Sequence, residues 1–237
     1  MTWRRSGAWA LVTLIAATGF ASLGFWQSGR AAWKQQWLQA WADALQAAPV
    51  ELTTALQTPL HEVPLRVETT LHLLPRPVLW LDNQQHAGQV GVRGYALAEV
   101  HGSSVPVLVE LGWRPFGPAR SLPELSVPST PLTLRGLLLP WPAQGLRLGT
   151  NQWENTGAPQ LLAYLDREEV NRQTGLSLYD GVLRPEPGPV LDAERDVVAL
   201  PNTLAPEQHR GYAVQWWGLS ATVVVVYLLL GLRRRKP

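Results

Sequence analysis

Two uninterrupted apolar runs dominate the hydropathy pattern, one near each end of the chain. From Gly7 to Trp26 the sequence GAWALVTLIAATGFASLGFW carries no charge, and from Tyr212 to Leu232 neither does YAVQWWGLSATVVVVYLLLGL. At 1.5 Å per residue, about twenty helical residues match the roughly 30 Å hydrocarbon thickness of a bilayer. Each run therefore predicts a membrane-spanning helix. A cleaved signal peptide competes for the first, because Arg4 and Arg5 give a basic start and Ala21 and Ser22 are small. The run is longer than a usual signal core, which favours a span. In the second, Trp216 and Trp217 near its start and Tyr227 towards its end suit the two headgroup interfaces.

Between the runs the periodicity changes twice. Residues 30–48, RAAWKQQWLQAWADALQAA, are strong helix formers with Trp33, Trp37 and Trp41 four residues apart, which predicts a stalk helix continuing the first span as far as Pro49. The tryptophan stripe fits packing on a core, contact with the membrane surface or the grip of a planar ligand; packing is the plainest of these. Beyond it the period falls to two. Leu65, Val67, Thr69, Leu71 and Leu73 share one side and Arg66, Glu68, Thr70 and His72 the other, which predicts a strand with one wet face. Val105–Trp113 repeats the pattern, with Val105, Val107, Val109, Leu111 and Trp113 inward. Val90 and Val92 share one phase and Tyr95 and Leu97 the opposite one, a slip at Arg93 and Gly94 that predicts a bulge. A further strand is expected over Leu132–Leu139. Asp166 can cap a short helix running to Gln173, with Glu169 completing a capping box and Gly175 ending it.

The pattern as a whole predicts a membrane protein with two transmembrane helices flanking an α+β, mainly antiparallel β, extracytoplasmic domain. The expected segments are a cytoplasmic N-terminus at 1–6, spans at 7–26 and 212–232, the domain at 27–211 with its stalk, and a basic tail at 233–237. Orientation rests on the second span. Arg233, Arg234, Arg235 and Lys236 follow it, against Arg210 alone before it, which puts both termini in the cytoplasm and the domain on the outer side of a bacterial inner membrane.

Composition sharpens this picture at three points. The chain of 237 residues is 46% hydrophobic and 16% charged, and its 20 Pro and 20 Gly fit a middle of many short elements. Its formal charge of +2 is concentrated in the terminal run, and no basic stripe suited to phosphates appears, so nucleic acid is not an expected partner. With no cysteine, disulfides, thiolate metal sites and thiol nucleophiles are excluded.

Enzyme motifs are absent. Neither GxGxxG, GxxxxGK[ST] nor GxSxG occurs, and Ser103 and Ser104 beside His101 make no triad. His61, His72, His86 and His101 could converge on a metal from successive strands, but lack the tight spacing that would favour it. His209 differs in position, three residues before Tyr212 and so at the mouth of the second span. There it reads either as an interfacial histidine or as an iron ligand with a porphyrin against Tyr212, Trp216 or Trp217.

Three separated segments resemble the Surfeit-locus/Shy family of cytochrome c oxidase assembly proteins. Leu23, Gly24, Trp26, Gln27, Arg30 and Lys34 are similar to its LGxWQxxRxxxK motif, and GYALAEVHGSSVPVLVELGWRP, from Gly94 to Pro115 with Gly112 and Trp113, to its central strand pair. Pro206, His209, Tyr212, Ala213, Gln215 and Trp216 are similar to its P-x-x-H-x-x-Y-A-x-x-W signature. One departure stands out: Glu110 and Leu111 occupy the positions where the family usually has Asn-Arg, so a basic side chain is missing or its role has moved, for instance to Arg114.

The resemblance implies a non-enzymatic factor that assists haem a insertion into subunit I of a haem-copper oxidase, with haem a synthase as a further partner and membrane lipid around the spans. It implies His209 as haem-iron ligand, Tyr212 and Trp216 as ring contacts and Arg210 as a propionate partner. Two alternatives stay open: a scaffold that binds oxidase subunits without haem, and a membrane-anchored metal-binding protein or enzyme built on the strand histidines.

Overall fold

The computed structural model describes residues 3–57, 63–125, 127–143, 150–154, 157–187 and 204–233. His61 and residues 234–237 of the basic tail expected at 233–237 lie outside them. The chain divides into two compact units, one of Met1–Leu38 with Thr203–Pro237 and the other of Gln39–Asn202.

The first unit is a helix pair. Helix α1 (Trp3–Gln46) runs unbroken past the first apolar run, and its last residues, from Gln39, belong to the second unit. Helix α4 (Pro206–Arg233) contains the second run and starts on a proline, whose missing N–H costs nothing in a first turn. Both are long and apolar enough to cross a membrane, and Leu14, Ile15, Leu228 and Leu229 among others leave their surfaces greasy and exposed. A soluble fold would bury such side chains; lipid removes the need.

Within the pair the contacts run antiparallel: Ala17 meets Ser220, Gln27 meets His209 and Lys34 meets Leu204. Close approach depends on Gly24, since a Cβ there would stand 2.3 Å from Trp217 Nε1. The stripe predicted along α1 is split in use. Trp33 and Trp37 stack on each other in this unit with centroids 6.2 Å apart, whereas Trp41 is buried in the second.

The second unit is built on a sheet of β1 (Val50–Glu51), β2 (Leu65–Leu73), β3 (Leu79–His86), β4 (Gln89–Val100), β5 (Val107–Pro115), β6 (Leu132–Leu139), β7 (Gln160–Leu162) and β8 (Val182–Pro185), with α2 (Leu52–Ala55) and α3 (Arg167–Thr174). The order β1-β2-β6-β8-β5-β4-β3-β7 carries an additional β2–β4 pairing, which closes β2, β6, β8, β5 and β4 into a ring. Inside it lie Val67, Leu71, Ala96, Ala98, Val109, Leu138 and Leu183. Burying each large aliphatic side chain contributes about 1.5–3 kcal/mol.

Four expectations need correction and one needs refinement. The refinement is that the sheet, antiparallel in five of its eight pairings, is mixed, because β1–β2, β3–β7 and β5–β8 pair in parallel. The strands responsible, β1, β7 and β8, have four residues or fewer, too few for period-two alternation to register. Next, β5 has no wet face. Val107, Val109 and Leu111 point into the ring while Leu108 joins Tyr95, Leu97 and Val182 in a second core roofed by Val170 of α3. A strand covered on both faces reads as a continuous apolar run.

The bulge expected at Arg93 and Gly94 lies in the β4–β5 ladder at Gly94/Tyr95, with its extra residue on β5 and not on β4. That strand keeps its alternation, with Val92, Ala96 and Ala98 on one face and Tyr95 and Leu97 on the other. The irregularity is in β5: Gly94 opposes Gly112 and Tyr95 opposes Glu110, leaving Leu111 as the extra residue. Gly112 takes φ 120°, a value suited to glycine. Past the bulge Trp113 opposes Arg93 and so shares the face of Glu110, not that of Val109 as expected. Finally, Asp166 does cap α3 (Glu169 N–H to Oδ1, 2.9 Å) and Gly175 ends it at φ 72°. The Glu169 carboxylate, however, accepts from Trp153 Nε1 (2.6 Å) and Asn151 Nδ2 (3.2 Å), so it is occupied elsewhere than in a capping box.

Candidate functional site

One face of α1 carries Gly24, Gln27, Ala31 and Lys34, at the three- and four-residue steps that align side chains on a helix. Gly24, Ala31 and Lys34 are buried, Gly24 against Trp217 of α4, and Gln27 is half-buried. Opposite them, His209 is only 6% exposed. Its Nδ1 lies 2.6 Å from Gln27 Oε1. Its Nε2 has almost no accessible surface and no hydrogen-bond partner among the described residues. An unsatisfied buried polar atom costs about 1–3 kcal/mol, so one retained between two packed helices calls for a use.

The surroundings are cationic. Lys34, 3% exposed, donates from Nζ to the Leu204 carbonyl at 2.5 Å. Arg30 is exposed and lies over the Trp33 ring at 4.8 Å. Arg210 donates to Gln35 Oε1 and stands 3.8 Å from Glu207. Tyr212 is exposed, Trp26 is exposed, and Trp216 is half-buried, stacked on Phe20 at 5.7 Å. The helix pair thus brings His209 to Gln27 and Lys34, while Arg210 is held by its neighbours on α1 and α4. Gln27 entered the sequence reading only as part of a motif. Its spacing from Lys34, two helical turns on, is the signal that would have singled it out.

Gly112 and Trp113 belong to the sheet unit. Trp113 Nε1 donates to the Gln84 carbonyl (2.8 Å), and its ring meets His86 at 5.1 Å. Glu110, the departure from the family pattern, is buried and receives Arg93 Nη1 at 2.6 Å and Arg184 Nε at 3.0 Å. Arg184 in turn lies over the Trp41 ring at 5.3 Å. A carboxylate between two guanidiniums is a closed structural knot. Elsewhere in the sheet unit, burial first and Asp180 second raise the pKa of Tyr179, so its hydroxyl stays a donor towards the Ala55 carbonyl (3.4 Å).

The strand histidines are dispersed. His72 Nε2 lies 2.9 Å from the Ser129 carbonyl, His86 is against Trp113, and His101 borders a polar cavity of about 530 Å³ with Glu51, Glu68, Thr70, Thr133 and Arg135. Much of that lining is satisfied internally, through Thr70–Thr133 and Arg135–Glu68. Among the described residues no group of three His, Cys, Asp or Glu is placed to hold a metal.

These features define a class: a mixed-sheet unit between two terminal helices apolar enough to span a bilayer, with a buried, half-satisfied histidine in the helix pair. The chain matches the SURF1 family over residues 14–221, and it belongs to that family. It is also 25% identical, over 222 residues, to a SURF1-like protein of Rickettsia bellii (strain RML369-C), covering 92% of this chain and 88% of the relative.

Proposed function

We propose that this protein is an assembly factor for a haem-copper oxidase, anchored in a bacterial inner membrane by α1 and α4, with both termini cytoplasmic and the sheet unit on the outer side. In this reading it is not an enzyme. It assists haem a insertion into subunit I, receiving the haem as cargo from haem a synthase and holding it briefly at the outer membrane face.

The observation that carries the proposal is His209 Nε2, a buried imidazole nitrogen with no partner among the described residues. A neutral imidazole nitrogen is a ligand for haem iron. Membership of the family and the two apolar helices support the setting. The donor set fits one axial ligand, Tyr212 offers an exposed ring, and Arg210 a cation for an acidic edge. Because Nε2 is covered, haem reaches it only when the side chains packed over that nitrogen move aside, with the Gln27 contact at Nδ1 kept. That same covering favours the rival reading, a scaffold that binds oxidase subunits and uses His209 for packing alone.

Purification of the full chain from cells making haem a separates the two. Copurified haem that falls at least tenfold in His209→Ala supports the ligand role. Oxidase subunits copurifying without haem support the scaffold.

A further inference from the structure

The contact between Gln27 and His209 fixes more than the distance between two helices. An amide oxygen has lone pairs and no proton, so at 2.6 Å from Nδ1 it accepts and the ring donates. In a neutral imidazole a proton on Nδ1 leaves the lone pair on Nε2. That nitrogen is the buried atom that lacks a partner. A device that selects the tautomer and a bare nitrogen therefore occur on one ring.

We propose that Gln27 is a positioning residue that sets the His209 tautomer, so that Nε2 presents its lone pair as a preformed ligand nitrogen for iron in a planar macrocycle. The identity of the metal centre rests on the haem reading above; the tautomer rests on geometry alone. Ligating histidines commonly donate their other N–H to a neighbouring oxygen, which orients the ring and tunes its basicity. A carboxylate in that place would push electron density into the ring and tighten the bond to iron. The neutral amide of Gln27 orients without that push, which suits a ligand that must later release its cargo.

The test is nitrogen NMR of the ring on the full chain in detergent with 15N-labelled histidine, His209 being assigned by its loss in His209→Gln. The expected wild-type result is a protonated Nδ1 and an unprotonated Nε2. Loss of one hydrogen bond shifts such an equilibrium about tenfold, so Gln27→Leu should move the tautomer ratio about tenfold towards Nε2–H. Gln27→Glu keeps an acceptor oxygen and should keep the wild-type tautomer. A protonated Nε2 in the wild type, or an unchanged ratio in Gln27→Leu, overturns the proposal. If Gln27→Leu does not fold, the wild-type and Gln27→Glu spectra decide alone.

Titration with iron protoporphyrin IX tests the ligand half. Affinity should fall about 10-fold or more in Gln27→Leu. Equal affinity overturns Gln27 as a positioning residue for the metal. A wild-type protein that shows the tautomer but takes up no iron porphyrin overturns the haem reading, and leaves the tautomer assignment standing.

Discussion

The sheet unit and the helix pair each bury a polar cluster, and the two are finished differently. In the sheet, Glu110 is clasped by Arg93 and Arg184, and the Arg184 guanidinium lies over Trp41. In the helix pair, His209 is satisfied at Nδ1 and bare at Nε2. Groups of the first kind hold a fold together, because both Glu110 oxygens are engaged by guanidiniums. An unpaired buried nitrogen costs stability, and among the described residues the sheet unit holds one as well, Trp80 Nε1, which is an N–H donor and no ligand. His209 Nε2 differs in that it can carry a lone pair for a metal, and it is this chemistry on which the proposed function rests.

The largest expected effect breaks the closed cluster. Glu110→Leu leaves the buried Arg93 and the half-buried Arg184 guanidiniums without that carboxylate and should cost about 3–5 kcal/mol, read as a lowered denaturant midpoint of the full chain in detergent. An unchanged midpoint would mean that the cluster is not what organises the sheet. Next, Gly24→Leu forces a side chain into the Trp217 indole and should weaken the helix pair by about 1–3 kcal/mol. As the chain has no cysteine, an Ala17→Cys/Ser220→Cys pair reports on it: cross-linking should be efficient in the parent and reduced when Gly24→Leu is added.

Removing the open cluster should cost far less than removing the closed one. The double variant Gln27→Leu/His209→Leu takes away both partners of one hydrogen bond and an unsatisfied atom, and should stay within about 1 kcal/mol of the parent in the same denaturation assay. A loss as large as that of Glu110→Leu would make His209 structural and erase the contrast. The smallest effect belongs to Ser220→Ala, which deletes the 2.8 Å bond to the Ala17 carbonyl and should cost about 0.6 kcal/mol, measured by the same cross-linking yield with the pair moved one turn away.

Much of this was legible in the sequence, for physical reasons that differ by region. Charge-free runs of about twenty residues need no tertiary context, so both long helices were plain. The Leu65–Leu73 strand was readable because one of its faces is only half-buried and alternation survives. In β4 and β5 both faces are buried, so apolar residues on opposite sides pointed to a bulge at the right place in the ladder but on β4, whereas its extra residue is Leu111 of β5. The parallel partners β1, β7 and β8 were too short to leave a pattern. At the site, His209 stood out by its place before the span. Its pairing with Gln27 did not, since 182 residues separate them and only the packing of two helices brings them together.

The central claim, that the bare nitrogen of His209 serves oxidase haem insertion, is tested most directly in cells whose chromosomal gene is deleted and replaced by the wild-type or the His209→Ala gene. The measurement is the reduced-minus-oxidised haem a spectrum of their membranes, with subunit I and the assembly protein quantified in parallel. The account predicts a normal spectrum with the wild-type gene and a haem a signal at least several-fold lower with His209→Ala at equal protein levels. A normal haem a signal in the deletion strain itself, or in His209→Ala, would contradict it.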